Sequence, residues 1–118
     1  RRISKRKPMN KLYYSPEFLN DLDEIWEYIF ESLQNPAAAQ NTVNDILDSL
    51  EKLQDFSEMG PPLSSVTEIE TDYRFLVCGN YLVFYRVKGE DVYIDRILYG
   101  RRDYLRILFG NPFEKPTK

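Results

Sequence analysis

The sequence predicts an α+β domain in which a strand and two helices precede a group of antiparallel strands. Helix-start signals occur twice, at Ser15-Pro16 and at Asn35-Pro36. After Pro62 the hydrophobic pattern changes from a helical period to an alternating one. The chain has 118 residues, of which 42% are hydrophobic, so it is long enough for one domain with its own core.

The first predicted strand is the apolar run at residues 11–15, and a helix follows it directly. Ser15 suits the N-cap of that helix, Pro16 its first position and Glu17 its first turn. Apolar residues recur at helical spacing and acidic residues lie mostly between them, which predicts an amphipathic helix with an acidic solvent face. The apolar positions are Phe18, Leu22, Ile25, Ile29 and Leu33. The acids assigned to the solvent face are Asp21, Asp23, Glu24, Glu27 and Glu31.

A second helix is predicted from residue 36, because Asn35-Pro36 repeats the start signal and an apolar stripe follows. Only a few residues connect the two helices, so we expect an antiparallel hairpin packed on one face of the sheet. Gly60-Pro61-Pro62 ends the helical half of the chain. The stripe contains Ala39, Val43, Ile46, Leu47, Leu50 and Leu53.

Three strands are expected in the second half, at residues 69–77, 81–87 and 92–99. Gly79-Asn80 and residues 88–91 mark the turns between them. Short connections make sequential strands neighbours, which predicts an antiparallel meander with residues 81–87 away from the sheet edge. Residues 103–109 are expected to form a short terminal helix.

The run at residues 81–87 offers large apolar side chains to both faces of the sheet. Tyr81, Val83, Tyr85 and Val87 share one face, and Leu82 and Phe84 share the other. A helix hairpin can cover only one face, so the terminal segment or a protein partner must cover the second.

Composition excludes several kinds of chemistry. The chain has no histidine, which removes histidine acid–base catalysis and zinc sites that need imidazole. Cys78 is the single cysteine, so no intrachain disulfide can form, and we interpret it as a buried hydrophobe in a reducing compartment. No stretch is apolar enough to span a membrane, and no cofactor or metal is expected.

Charge argues against general binding of nucleic acid. The net charge is −3, but five of the 16 basic residues lie in residues 1–8. Without that segment, 11 basic residues face 19 acidic ones, a net charge of −8. We interpret residues 1–8 as a basic extension or a cloning remnant, residues 9–110 as the domain, and residues 111–118 as a tail.

The order and spacing of several segments resemble the RelE/ParE toxin superfamily of bacterial type II toxin–antitoxin systems, and its ParE branch more than its RelE branch. The segments are residues 13–29 (YYSPEFLNDLDEIWEYI), the helix start at residues 35–39, Gly60-Pro61-Pro62, Tyr73-Arg74, residues 81–87, and residues 97–108 (ILYGRRDYLRIL).

The resemblance implies a cytoplasmic toxin that forms a hetero-oligomer with a cognate antitoxin. The antitoxin would bind operator DNA, so this chain would meet DNA only indirectly. ParE-like members inhibit DNA gyrase, whereas RelE-like members cut messenger RNA on the ribosome. The resemblance therefore favours gyrase inhibition, with a RelE-like nuclease or a non-toxic antitoxin-binding homologue as alternatives.

The nuclease pattern of the resemblance is largely missing here, so we expect no enzymatic site. RelE-like members carry lysines before the second strand, but residues 60–65 contain none. Leu82 stands where the third-strand arginine is expected, and only Arg102 matches. The candidate contacts to a target or an antitoxin are Arg74, Leu82, Phe84, Tyr85, Arg101 and Arg102. For Arg74, Arg101 and Arg102, pairing with neighbouring acids is the competing interpretation.

Overall fold

The structure, a computed structural model, describes residues 10–100 and 103–110. Its strands are β1 (Lys11–Tyr14), β2 (Arg74–Cys78), β3 (Tyr81–Lys88) and β4 (Asp91–Tyr99). Its helices are α1 (Pro16–Leu33), α2 (Pro36–Glu51) and α3 (Tyr104–Phe109), with single 3-10 turns at Lys52–Gln54 and Leu63–Ser65. None of the helices in this part of the chain is long and apolar enough to cross a membrane.

The four strands form one sheet in the order β1-β4-β3-β2. Strands β2, β3 and β4 make the predicted antiparallel meander, and β3 is internal as predicted. Strand β1 runs parallel to β4, from Lys11 beside Asp91 to Tyr14 beside Ile94, so the four-stranded sheet is mixed. The long helical connection after β1 makes a parallel pairing possible, since parallel strands need a crossover.

Both helix starts carry the side-chain caps that the sequence predicts. The Ser15 hydroxyl oxygen accepts from the Phe18 amide at 2.9 Å, and the Asn35 side-chain oxygen accepts from the Ala38 amide at 3.2 Å. Helix α1 ends at Leu33, and its C-cap residue is Gln34, whose φ of 51° is left-handed. The reversal then takes only Gln34 and Asn35, so α1 and α2 pack as an antiparallel hairpin.

The main core lies between the hairpin and one face of the sheet. Its buried helical residues are Phe18, Leu22, Ile25, Ile46, Leu50 and Leu53, the last from the turn after α2. Its buried sheet residues are Cys78, Val83, Tyr85, Val92, Ile94 and Ile97. The predicted packing of both helical stripes on one sheet face is confirmed.

The second face is covered by the chain itself. Phe84, Leu98 and Leu63 are buried there, and side chains of α3 pack over them. The ring centroids of Phe84 and Tyr104 are 5.3 Å apart. Of the two covers that the sequence leaves open, the terminal segment supplies one, together with the turn at Leu63–Ser65.

A β-bulge at Asp95 changes which side chains of β4 point to each face of the sheet. Phe84 pairs with Arg96 and Tyr85 with Ile94, so Asp95 has no partner across the ladder. The extra residue changes the alternation of faces, and both Ile94 and Ile97 therefore reach the main core.

At this bulge α1 takes over from β1 along the edge of β4. The Ser15 amide donates to the Ile94 carbonyl at 3.0 Å, and the Ser15 hydroxyl donates to the Asp95 carbonyl at 2.7 Å. Asp21, one helical turn and a half further on, lies against the same edge.

The assignment of Asp21 to the solvent face is wrong, because this residue is buried. Its carboxylate accepts from the Ile97 amide at 3.1 Å, and from the Arg96 guanidinium at 2.7 and 2.8 Å. The carboxylate satisfies a backbone donor that β1 is too short to reach, and Arg96 compensates its charge. Asp21 thus fastens α1 to β4.

Candidate partner-binding groove

An open groove lies between the helix hairpin and the end of the sheet where β4 finishes. We call it the hairpin groove, and its volume is about 980 Å³. Helix α1 begins beside Asp95 of β4 and is 18 residues long. Only four residues of β4 follow Asp95. The far part of the hairpin therefore has little sheet beneath it. The lining residues used below are Asp21, Glu24, Ile25, Tyr28, Ile29, Leu33, Asp45, Ile46, Cys78, Tyr81, Ile97 and Tyr99.

The hairpin groove has an apolar floor and large exposed side chains at its rim. Ile25, Ile46 and Ile97 are buried at the floor. Tyr28 and Leu33, on the wall made by α1, are 68% and 61% exposed. Side chains of this size left in solvent around a concavity are typical of a surface that another protein covers.

Three tyrosines from different elements meet at this groove. Tyr81 and Tyr99 are cross-strand partners with ring centroids 6.0 Å apart in an edge-to-face arrangement. Burial raises the pKa of the Tyr81 phenol, and the nearby Tyr28 and Tyr99 phenols raise it further. The Tyr81 hydroxyl therefore stays neutral at physiological pH and can donate or accept hydrogen bonds.

Among the described residues, the charged side chains that line the hairpin groove are all acids, namely Asp21, Glu24 and Asp45. Arg96 neutralises Asp21. Within the described residues, neither Glu24 nor Asp45 has an arginine or lysine nitrogen within ion-pair distance. Glu24 accepts a hydrogen bond from the Asn20 side-chain amide at 3.3 Å. The groove thus presents negative charge above an apolar floor.

Comparison with known proteins identifies the family. A family model described as the ParE toxin of the type II toxin-antitoxin system, parDE, matches residues 12–104. The chain belongs to the ParE toxin family. The predicted superfamily and its ParE branch are confirmed.

Two solved structures are similar to this chain. A chain of the chromosomal ParDE TA system from P. aeruginosa is 27% identical with a TM-score of 0.65, and the match covers 77% of this chain and 96% of that one. YafQ from E. coli strain BL21(DE3) is 17% identical with a TM-score of 0.43, and the match covers 86% of this chain and 99% of that one. Comparison with curated proteins gave no significant match.

Two of the predicted contact residues, Arg74 and Tyr85, instead form hydrogen bonds with Gly60 in an internal loop of this ParE-family chain. The Arg74 guanidinium donates to the Gly60 carbonyl at 2.6 Å, and the Gly60 amide donates to the buried Tyr85 hydroxyl at 2.9 Å. A Cβ at Gly60 would clash with the Phe75 carbonyl, so the loop approaches β2 as closely as glycine allows. Tyr85 is fully buried and cannot contact a partner of the folded chain.

Leu82 and Phe84 lie on the second face, away from the hairpin groove floor. Phe84 is fully buried beneath α3, and Leu82 is half-buried in the same cluster. The prediction of Phe84 as a surface contact is wrong for the folded chain, because α3 and Leu63 already cover it. Arg101 and Arg102 lie outside the described residues.

Tyr73, Arg86 and Asp95 form a half-buried polar network beside the bulge. The Tyr73 hydroxyl donates to the Asp95 carboxylate at 2.8 Å, and the Arg86 guanidinium donates to the same carboxylate at 3.1 Å. Burial, followed by the hydrogen bond and the charge of Asp95, raises the pKa of Tyr73 to about 12. Since Tyr73 and Arg86 both donate to Asp95, the residue at the bulge, the network stabilises the bulge.

The sequence interpretation missed most of the hairpin groove. Glu24 and Asp45 are assigned only to solvent faces or left without comment, and Tyr28 and Tyr99 are not singled out. One feature of the sequence could have indicated the groove. A four-residue strand is followed almost directly by an 18-residue helix, so the helix extends past the end of the sheet. In the described residues no group of three histidine, cysteine, aspartate or glutamate side chains could hold a metal ion.

Cys78 lines the hairpin groove, where burial disfavours the thiolate form of its side chain. Burial raises the pKa of its thiol, and the hydrogen bond with Ser49 offsets part of that rise. The thiol is therefore a poor source of thiolate at neutral pH, which agrees with its interpretation as a small buried hydrophobe.

Proposed function

We propose that this chain inhibits bacterial growth by binding DNA gyrase, and that a cognate antitoxin neutralises it in the cytoplasm. Membership of the ParE toxin family over residues 12–104 carries the proposal, because gyrase is the target implied by the ParE branch. The chromosomal ParDE system that is similar to this chain is described as a toxin–antitoxin system, which supports an antitoxin partner.

The hairpin groove is the surface on which we place the antitoxin. Tyr28 and Leu33 stand exposed beside the buried floor, so a partner segment can cover them without unfolding the toxin. Burying ~300 Å² of apolar surface there contributes roughly 7 kcal/mol before association costs. Ion pairs at the rim contribute about 1 kcal/mol each, so affinity should depend weakly on salt.

Calorimetric titration of the chain with its antitoxin at low and high ionic strength tests this account. Affinity within about tenfold across the two salts supports apolar anchoring. A loss of several orders of magnitude on adding salt, with no effect of Tyr28→Ala or Leu33→Ala, would contradict it.

Physical chemistry favours a binding toxin over a ribosome-dependent RNase. Cutting RNA without histidine or metal needs lysine, arginine or tyrosine groups free to move protons and stabilise charge. Residues 60–65 supply no lysine, and Leu82 occupies the expected arginine position. A Tyr73 phenol with a pKa of about 12 and bonded to Asp95 is a poor proton donor or acceptor near neutral pH.

Induced expression, alone and together with the neighbouring upstream gene, tests the proposal as a whole. We expect growth arrest with a DNA damage response, rescue by the upstream gene, and inhibition of supercoiling by purified gyrase. Primer extension on translated mRNA should show no codon-positioned cuts.

The two alternatives give different results in the same cells. Codon-positioned cuts that disappear in an Arg102→Ala variant would establish a RelE-like nuclease and refute gyrase inhibition as the activity. Unaffected growth combined with a stable complex would identify a non-toxic antitoxin-binding homologue.

A further inference from the structure

We propose that the chain docks on its target through a second apolar stripe of α1, which consists of Leu19, Trp26 and Phe30 and is flanked by carboxylates. We call it the outer stripe. The surface that it fits is an apolar pocket of the target, edged by lysine or arginine side chains. This inference rests on the proposed function, because the target is DNA gyrase. It goes further by naming a docking surface separate from the hairpin groove.

The outer stripe lies along one side of α1. Trp26 and Phe30 follow Leu19 by seven and eleven residues, so at 3.6 residues per turn all three lie within an arc of about 40°. The stripe is about 16 Å long, which is three turns of helix. Leu19 is 50% exposed, and the half-buried rings of Trp26 and Phe30 stack with their centroids 5.3 Å apart.

The outer stripe belongs neither to the main core nor to the hairpin groove. In the part of the chain that the structure describes, the helical side chains that are partly buried against the main core include Ile29, Val43 and Leu47 but no residue of the stripe. The stripe residues do not line the groove either. A stacked aromatic pair that continues into an exposed leucine, outside the core, is typical of a surface that binds another protein.

Exposed carboxylates run alongside the outer stripe. Asp23 follows Leu19 by four residues, and Glu27 precedes Phe30 by three, so each acid is a surface neighbour of a stripe residue. Neither acid has an arginine or lysine nitrogen within ion-pair distance in residues 10–100 or 103–110. The stripe therefore offers a partner an apolar strip with a negative margin.

The charge of the whole hairpin determines the kind of partner that fits. Residues 16–51 contain nine acidic residues and no lysine, arginine or histidine. A second copy of this chain would bring two such hairpins together, and nucleic acid or an anionic lipid surface would add further negative charge. A basic protein surface complements the hairpin instead. Enzymes that bind DNA present lysine and arginine side chains to its phosphates, so the proposed target has this chemistry.

The test uses the full chain and purified DNA gyrase. Surface plasmon resonance at low and high salt measures binding, and a supercoiling assay measures inhibition. The charge variant is Asp23→Asn/Glu27→Gln. Its matched control is Glu70→Gln/Asp72→Asn, which removes the same charge at exposed positions outside the hairpin.

Leu19→Ala tests the apolar part of the outer stripe. Its control is Phe56→Ala, because Phe56 is 65% exposed and lies outside both the stripe and the groove lining. Thermal melts of all the variants confirm that each is folded. Titration with the protein encoded by the neighbouring upstream gene shows whether the antitoxin still binds.

We expect Asp23→Asn/Glu27→Gln to weaken gyrase binding about tenfold at low salt and to reduce its salt dependence. Leu19→Ala should weaken gyrase binding about fivefold, and both controls should stay within about twofold of the unaltered chain. Antitoxin affinity should also stay within about twofold for both outer-stripe variants, because the antitoxin is assigned to the hairpin groove.

Gyrase binding by both outer-stripe variants that equals binding by their controls would overturn the inference and leave the proposed function intact. Loss of antitoxin binding with unchanged gyrase binding would overturn it as well, because the stripe would then belong to the antitoxin interface. Failure of the unaltered chain to bind or inhibit gyrase would instead refute the proposed function, and this inference with it.

Discussion

The two faces of the sheet are covered by different elements and to different extents. On the second face, α3 and the turn at Leu63–Ser65 close over Phe84 and Leu98, and these side chains are fully buried within the chain. On the first face, the hairpin covers the centre of the sheet but leaves Tyr28 and Leu33 exposed beside an open groove.

The difference separates residues that hold the fold from residues available to a partner. A large apolar side chain on the closed face contributes to the free energy of unfolding, whereas one at the hairpin groove is free to contribute to binding. Four substitutions test this division, and they are described in order of decreasing expected effect.

Phe84→Ala should destabilise the chain by about 4 kcal/mol, because it leaves a cavity beneath α3 where the ring is fully buried. Urea unfolding followed by circular dichroism measures the loss. Val77→Ala is the matched control, since Val77 is 62% exposed near the closed face, and it should change stability by less than about 0.5 kcal/mol. A loss below about 1 kcal/mol for Phe84→Ala would show that the face is not closed.

Asp21→Asn should destabilise the chain by about 3 kcal/mol, because it leaves Arg96 partly buried without a counter-charge and weakens the bond to the Ile97 amide. Chemical denaturation provides the measurement, and Asp23→Asn, at an exposed position of α1, is the control. Equal stabilities of the two variants would contradict the role of Asp21 in fastening α1 to β4.

Tyr28→Ala should change stability by less than about 0.5 kcal/mol but weaken antitoxin binding by about 2 kcal/mol, as expected for an exposed aromatic anchor. Calorimetric titration with the upstream gene product gives the affinity. Tyr13→Ala removes a partly exposed tyrosine that stacks on Tyr93, outside the groove lining, and should leave affinity unchanged. Similar losses for both variants would place the antitoxin elsewhere.

Tyr73→Phe should destabilise the chain by about 1 kcal/mol, since it removes the hydrogen bond to Asp95. The raised pKa means that folding favours the neutral phenol, so its contribution is complete below pH 10 and is lost as pH rises towards 12. Unfolding measured from pH 8 to pH 11.5 should therefore show a steeper decline for the unaltered chain than for Tyr73→Phe. Parallel curves would contradict this.

Local sequence signals were sufficient for the elements, and long-range geometry was needed for the site. Ser15-Pro16 and Asn35-Pro36 fix both helix starts because capping acts within four residues. The parallel pairing of β1 with β4, the bulge at Asp95 and the burial of Asp21 depend on contacts across most of the chain. No local pattern encodes them, so the sequence alone predicts that the acidic run on α1 faces solvent, including the buried Asp21.

The candidate residues illustrate the same limit. Leu82 and Phe84 were chosen because one hairpin cannot cover two faces, which is correct, but α3 covers them. Arg74 was chosen for its charge, yet it donates to backbone carbonyls of a loop that folds back from residue 60. The alternation of apolar residues along one strand shows that a sheet face must be covered. It does not show whether the terminal segment or a partner protein covers it.

The pairing of β1 with β4 also determines when the molecule can act during its own synthesis. Ser15 bonds to Asp95, 80 residues later in the chain. At about 5–20 residues per second, a ribosome adds those residues in roughly 4–16 s, and through that interval α1 has no strand edge to dock against. The last wall of the groove, at Ile97 and Tyr99, is made later still. If the antitoxin binds the hairpin groove as proposed, an incomplete chain offers it no finished groove, and binding follows synthesis of nearly the whole toxin.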